Sequence, residues 1–270
     1  MTALWRRRLP YCLLLALALL AAAGPPLWQW AFGIVFDAQA LAEDLKPPSW
    51  SHPLGTDFFG RDTFVRVLCG LRTSFSVGLC GACVAVGIGT AVGLLAGTAG
   101  GALDQWLMRL VDVLYAMPFL FVAILLVTLF GHEPMLVFVA LGAVGWLPCA
   151  RMVRAHVLAE RQRPYVDALR LLGASNARLA FVHLLPNSSG VVACAFGISV
   201  PTMVLDEAFL SFLGLGVQPP HASLGSLVAE GAALLRLSPW PLLAPSVATA
   251  ALLWALHAVA DRLERRAAAG

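Results

Sequence analysis

The sequence predicts an all-α polytopic membrane protein, and three observations predict it: an apolar composition, long charge-free windows, and basic residues gathered on alternate connections. Hydrophobic residues make up 60% of the chain and charged residues 12%, with a mean hydropathy of +0.82. No ordinary soluble domain is so apolar, so the surrounding solvent is lipid. Between consecutive charged residues lie six long windows, 9–36, 73–103, 113–132, 134–150, 179–205 and 237–260. Most of them can hold a helix of about 20 residues, the length that crosses roughly 30 Å of hydrocarbon. The fourth is short, and Arg151 and Arg154 at its end can snorkel to the interface.

Six alternating spans put both termini and the loops near 104–112 and 151–178 on one side. The opposite side keeps only Lys46, Arg61, Arg66, Arg72 and Arg236, leaving thirteen of the eighteen Lys and Arg residues on the first. By the positive-inside rule the termini and the 151–178 loop are cytoplasmic. The net charge of +3 therefore reports topology rather than nucleic-acid binding.

The first span begins after Arg6, Arg7 and Arg8 and reaches Ala21-Ala22-Ala23, a pattern that also fits a cleaved leader. The apolar run continues through Trp28, Trp30 and Phe36, and Pro25 and Pro26 crowd the cleavage point, so an uncleaved span is the reading adopted. After it, Gly55 and Gly60 allow tight turns and Asp62 can cap a helix whose Phe64, Val67, Leu68 and Leu71 recur every three or four residues. This stretch is expected to form an amphipathic arm on the outer interface. In the second span Gly89, Gly93 and Gly97 repeat at four residues and predict close packing against another span or a partner. Pro118 and Pro201 are expected to bend the third and fifth spans, and Arg109 to pair with Asp112. The uncharged window 208–229 carries Gly214, Gly216, Pro219, Pro220 and Gly225, which suits an extramembrane or re-entrant segment.

The 151–185 loop is the most informative feature. It is polar and basic, and it contains Tyr165-Val-Asp-Ala-Leu-Arg-Leu-Leu-Gly173 followed by His183-Leu-Leu-Pro186-Asn187. A short helix over 165–172 follows, with Asp167 in its first turn complementing the helix dipole and Gly173 in a left-handed C-terminal turn. Taken alone it could be an ordinary basic helix on the membrane surface.

Three motifs in order resolve that choice. His52-Pro-Leu-Gly-Thr-Asp57 with Gly60-Arg61-Asp62 resembles the signature before the second span of permeases in the dipeptide, oligopeptide and nickel class of ABC importers. Tyr165 to Gly173 with the His183 segment is similar to the cytoplasmic loop that couples such permeases to their ATPases, and Glu207-Ala-Phe-Leu-Ser211-Phe-Leu-Gly-Leu-Gly216 to their segment after the fifth span. The chain departs from the family in having Asp167-Ala168-Leu169 where Glu-Ala-Ala is usual, Leu224 in place of a Trp, and Ala260-Asp261 in place of Gly-Asp.

The resemblance implies the type I importer permease fold: six transmembrane helices with a cytoplasmic coupling helix. The implied organisation is a cytoplasmic N-terminus and first span (1–36), an extracytoplasmic segment with the arm (37–72), a core of five spans (73–260) and a cytoplasmic tail (261–270). It implies a bacterial inner-membrane protein that is not itself an enzyme. It also implies a homologous second permease, two cytoplasmic ATPases that hold ATP and Mg, and an extracytoplasmic solute-binding protein as partners. Consistent with that, the chain has no Walker A motif and its single lysine is Lys46. Peptide is the implied cargo, with nickel or a metal–metallophore complex as the alternative.

The expected docking contacts are Tyr165, Val166, Ala168, Leu169 and Leu172, with Arg170 at the rim and Asp167 and Gly173 shaping the helix. Asp206 and Glu207 are read either as an interfacial or structural pair or as pathway residues, and Glu207 is the pathway choice because it matches the family segment. No cofactor or metal site is expected, since Cys80-x-x-Cys83 lacks a second ligand pair and the six histidines do not cluster. An intramembrane serine protease using Ser188 or Ser189, and a secondary transporter, are the readings from other classes.

Overall fold

A computed structural model describes residues 2–33, 37–130, 134–218 and 221–267. The C-terminal ends of the first and third windows, His132 among them, and Pro219 and Pro220 lie outside the described residues. The architecture is a helical bundle; among the described residues the only β pairing is a single bridge between Thr56 and Asp62.

Helix α1 spans Thr2–Phe32 and α2 spans Thr63–Ala99. Asp62 caps α2 by accepting a hydrogen bond from the Val65 N–H at 3.0 Å, as its sequence position predicts. The expected amphipathic arm is not a separate element. Its residues form the first turns of α2, with Val65, Leu68 and Leu71 buried, because the bundle and the preceding loop cover them on every side. Gly100 and Gly101, at φ of 67° and 59°, reverse the chain into α3, Gly101–Ala116.

The third span is two helices rather than one. Met117 is extended (φ −77°, ψ 126°) because Pro118 disfavours the helical region for the residue before it, so α3 ends there and α4 runs Phe119–Phe130. Next come α5, Pro134–Glu160, and the short α6, Pro164–Leu171. A stepped entry follows: α7 Asn176–Arg178, a π-helical turn Leu179–Leu184 and α8 Leu185–Asn187. Helix α9 covers Ser189–Phe212, α10 Leu224–Leu234 and α11 Trp240–Ala267.

Four of the helices, α1, α2, α9 and α11, are long and apolar enough to cross a membrane among the described residues. Helix α5, with 27 residues, has the length to do so, and α3 with α4 completes the sixth passage. The expected re-entrant segment contains α10, capped by a reciprocal pair in which Ser223 and Ser226 each accept the other's backbone N–H.

The small-residue stripe of α2 packs within the chain. A Cβ on Gly93 would lie 2.5 Å from the Ala150 carbonyl oxygen, and one on Gly89 2.7 Å from that of Trp146, so α2 and α5 meet at backbone distance. Gly78 packs tightly on the Val204 side chain of α9, and Gly81 lies in ordinary contact with that of Met203. One core cluster gathers α1, α2, α9, α10 and α11 around Leu71, Met203, Leu224 and Leu252; a second joins α5 and α6 to the stepped entry of α9.

Both ends of the bundle are pinned. At one, the Arg161 guanidinium donates to the Gly97 carbonyl at 2.7 Å, and Arg262 lies 5.1 Å over the Tyr11 ring. At the other, the 37–62 loop covers the start of α2 and the second half of α10. Arg109 does not make the expected pair with Asp112. Arg151 from α5 takes Asp112 instead, at 2.8 Å, because α3 presents that carboxylate to its neighbour. Arg154 similarly holds Asp104 at 2.6 Å.

Candidate functional site

Helix α6 is short, and its conformation is dictated locally. Arg163 is extended before Pro164, which opens the helix at a position needing no N–H partner. The other end is a Schellman turn: Gly173 N–H bonds the Arg170 carbonyl at 2.9 Å and Ala174 N–H that of Leu169 at 3.0 Å, with Gly173 at φ +83°. The acid and glycine expected to shape the helix stand where that shape requires them. Asp167 also pairs loosely with Arg170, 3.4 Å away and solvent-exposed.

The two faces of α6 have different roles. Val166 is fully buried against Val153, Val157, Leu179 and Leu184, with Tyr165 and Leu169 packed beside it. Tyr165 donates to Glu160 at 3.0 Å and accepts from the Asn187 side chain at 3.0 Å, tying α6 to both α5 and α8. Burial pushes the Tyr165 hydroxyl above the usual phenol range. Val166 is therefore unavailable to a partner, and Tyr165 and Leu169 are anchors more than contacts. Asp167, Ala168, Arg170 and Leu172 face outward, and Leu171, which sequence reasoning passed over, is 90% exposed, more than Leu172. Amphipathic spacing reveals two faces of a helix but not which apolar one is already covered.

The acid pair separates as adjacent helical residues must, pointing about 100° apart. Glu207 is fully buried and holds a knot: it accepts from Ser74 of α2 and from Ser211 one turn on, both at 2.7 Å. Ser74 in turn accepts the Leu224 N–H at 3.1 Å, and Ser211 the Val217 N–H at 3.3 Å. The expected pathway role does not suit Glu207, because its carboxyl group is spent on closing α2, α9 and α10 together. Asp206 instead lines a cavity of about 180 Å³ between α3, α5 and α9.

The His52–Asp62 segment is a compact lock. Gly55 and Gly60 adopt φ of 75° and 69° where a Cβ would strike the carbonyl oxygens of Lys46 and Ala40. His52 bridges Asp62 at 2.8 Å and Glu43 at 3.0 Å. Beneath it, Asp57 accepts from the backbone of Phe59 and Arg61 and receives Arg61 and Arg66, both at 2.7 Å. Arg66 also grips Glu230 of α10 through both nitrogens, at 2.6 and 3.1 Å. Glu230 was not singled out from the sequence; its signal was a lone acid in an otherwise uncharged stretch.

Ser188, one of the two serines of the protease alternative, is buried and donates its hydroxyl to the Leu184 carbonyl at 2.7 Å, which is helix geometry rather than activation. All six cysteines are free thiols, with Cys80 and Cys83 on the exposed side of α2. Among the described residues no three His, Cys, Asp or Glu side chains are grouped to hold a metal.

Comparisons with known proteins fit this arrangement. The family model of binding-protein-dependent transport system inner membrane components matches residues 89–269. The chain is 40% identical over 251 residues to the oligopeptide transport system permease protein OppC of Escherichia coli K12, covering 93% of this chain and 82% of that one. It is 39% identical over 227 residues to the dipeptide transport system permease protein DppC of Bacillus subtilis, covering 84% and 71%. In fold it is similar to a chain of the MetNI methionine ABC transporter in inward-facing conformations, with a TM-score of 0.62 at 18% identity over 73% of this chain and 94% of that one.

Proposed function

Because the chain belongs to the family of binding-protein-dependent transport system inner membrane components, an ABC importer's membrane subunit rather than its catalyst, we propose that it passes di- or oligopeptides across the inner membrane by alternating access. Its partners in this reading are a homologous second permease, two ATPases that bind ATP and Mg, and an extracytoplasmic solute-binding protein. Both termini and α6 face the cytoplasm, and the 37–62 loop faces outward. The names of the relatives at 39–42% identity support peptide as cargo.

The observation that carries the reading is the division of labour on α6. Val166 and Tyr165 fasten the helix to α5 and α8, while Ala168, Leu171 and Leu172 stand in solvent. A partner that pushes the outer face moves the helices behind it as one piece. Nucleotide closure by the ATPases supplies the differential binding that shifts the two-state equilibrium. Asp206 lines the passage, and Glu207 keeps α2, α9 and α10 in register around it.

Two measurements test this. ATP-driven uptake of a radiolabelled tripeptide into proteoliposomes holding the assembled transporter is expected, and no uptake with any di- or oligopeptide would refute the cargo. In intact cells Leu171→Cys is expected to resist a membrane-impermeant maleimide and to crosslink to an ATPase. Labelling from outside would refute the orientation.

A further inference from the structure

The cavity between α3, α5 and α9 has a chemically one-sided lining. Its walls are mainly apolar, with Leu141, Val144 and Pro148 from α5. Its polar groups are Tyr115 of α3 and, from α9, Ser199, Thr202 and Asp206, whose spacings of three and four put them on one face of that helix. The hydroxyl hydrogens of Ser199 and Thr202 are committed to the carbonyls of Ala195 and Ile198, at 2.7 and 2.9 Å. Both oxygens therefore offer lone pairs. Asp206 makes no hydrogen bond or ion pair among the described residues. The nearby Arg151 is held at 2.8 Å by Asp112 and lies 4.4 Å over the Tyr115 ring, so its charge is answered elsewhere.

Three acceptors, one a half-buried carboxylate, on an otherwise apolar wall favour a cationic donor, because an unpaired acid beside apolar surface is costly. A volume of about 180 Å³ is several times a water's share of about 30 Å³, yet below the roughly 300 Å³ at which pockets take whole small molecules. It suits one end of a cargo. We propose that Asp206, flanked by Ser199 and Thr202, binds the protonated amino group of the peptide as it passes, an inference that rests on the peptide-import reading. The three N–H donors of an ammonium match the three acceptors.

The test uses the whole transporter in nanodiscs without its binding protein, so that peptide reaches the cavity by diffusion. Carbodiimide labelling of Asp206 is followed by mass spectrometry in the presence of tri-alanine or N-acetyl-tri-alanine. Tri-alanine is expected to slow labelling as it occupies the site, by about tenfold at about ten times its half-protecting concentration, and the acetylated peptide to leave the rate unchanged. In proteoliposomes, Asp206→Asn is expected to lower kcat/KM for tri-alanine about tenfold, the scale of one charge-assisted hydrogen bond, while Asp206→Glu keeps most of it. Equal protection by the two peptides, no protection by either, or an Asp206→Asn loss within about twofold overturns the proposal. Absence of uptake of tri-alanine and of every other di- or oligopeptide by the unmutated transporter overturns the peptide reading itself, a result the labelling arm does not mimic.

Discussion

Replacing Arg66 by alanine tests what ties the 37–62 loop end of the bundle together. Arg66 is 2% exposed and is the largest fully buried side chain among the described residues; it joins Asp57 to Glu230 across the contact of α2 with α10. Breaking a buried ion pair from one side costs about 3–5 kcal/mol, mostly for the charge left behind. Here the low end applies. Asp57 keeps Arg61 at 2.7 Å and two backbone N–H groups, and Glu230, one-third exposed, turns to water. Asp57→Ala belongs at the high end, about 5 kcal/mol, since it leaves two guanidinium groups facing one carboxylate and strips both loop amides. At about 2–4 °C per kcal/mol for a chain of this size, Arg66→Ala lowers the melting temperature of the purified transporter by about 6–12 °C, and Asp57→Ala by more. A fall below about 2 °C for Arg66→Ala, or a larger one than for Asp57→Ala, would refute the reasoning.

Three further outcomes are expected. Leu171→Asp leaves the melting temperature of the permease within about 1 °C, because the residue is 90% exposed, but weakens co-purification of the ATPases; Val166→Asp, at a fully buried position, prevents folding. Gly93→Leu forces α2 off α5 and costs more than the usual overpacking range of about 1–3 kcal/mol, since its Cβ would meet backbone, whereas Gly87→Ala, with nothing within 4 Å, stabilises by up to about 1 kcal/mol; thermal unfolding reads both. Lys46 and His52 hold the Glu43 carboxyl below its ordinary value of 4.5, so its contribution is complete above that pH and is lost as pH falls through the lowered value. The protection of the Thr56 amide against exchange, relative to its intrinsic rate at each pH, falls in that acid window, since the Thr56 hydroxyl donates to the Glu43 carbonyl, and Glu43→Gln flattens the dependence.

Local features were legible in the sequence. The Asp62 cap, the turns at Gly55 and Gly60, the interruption at Pro118 and the left-handed close of α6 each depend on one residue's conformational preferences and its near neighbours. The permease fold followed from hydropathy, charge bias and ordered motifs. Partnerships set by packing were not legible. Arg66 and Glu230 meet across 164 positions, and nothing at either end names the other. The choice between Asp206 and Glu207 turns on which side of α9 meets α2, a rotation that apolar spacing leaves open because α9 is apolar nearly all round. Arg109 was assigned to Asp112 on spacing alone, and Arg151 prevailed because the helices cross there.

Helix α2 counts 37 residues, about 55 Å of continuous rod, well beyond the roughly 30 Å of a bilayer's hydrocarbon. One tip is clamped in the 37–62 lock through Arg66, and the other is stitched to the α6 side through Arg161 at Gly97. A pitch of about 5° about its midpoint would swing each tip about 2.4 Å in opposite directions, as the helical rise dictates. That displacement approaches the length of a hydrogen bond, so a tilt imposed at one tip makes or breaks an ion contact at the other, with no relay of intermediate side chains required.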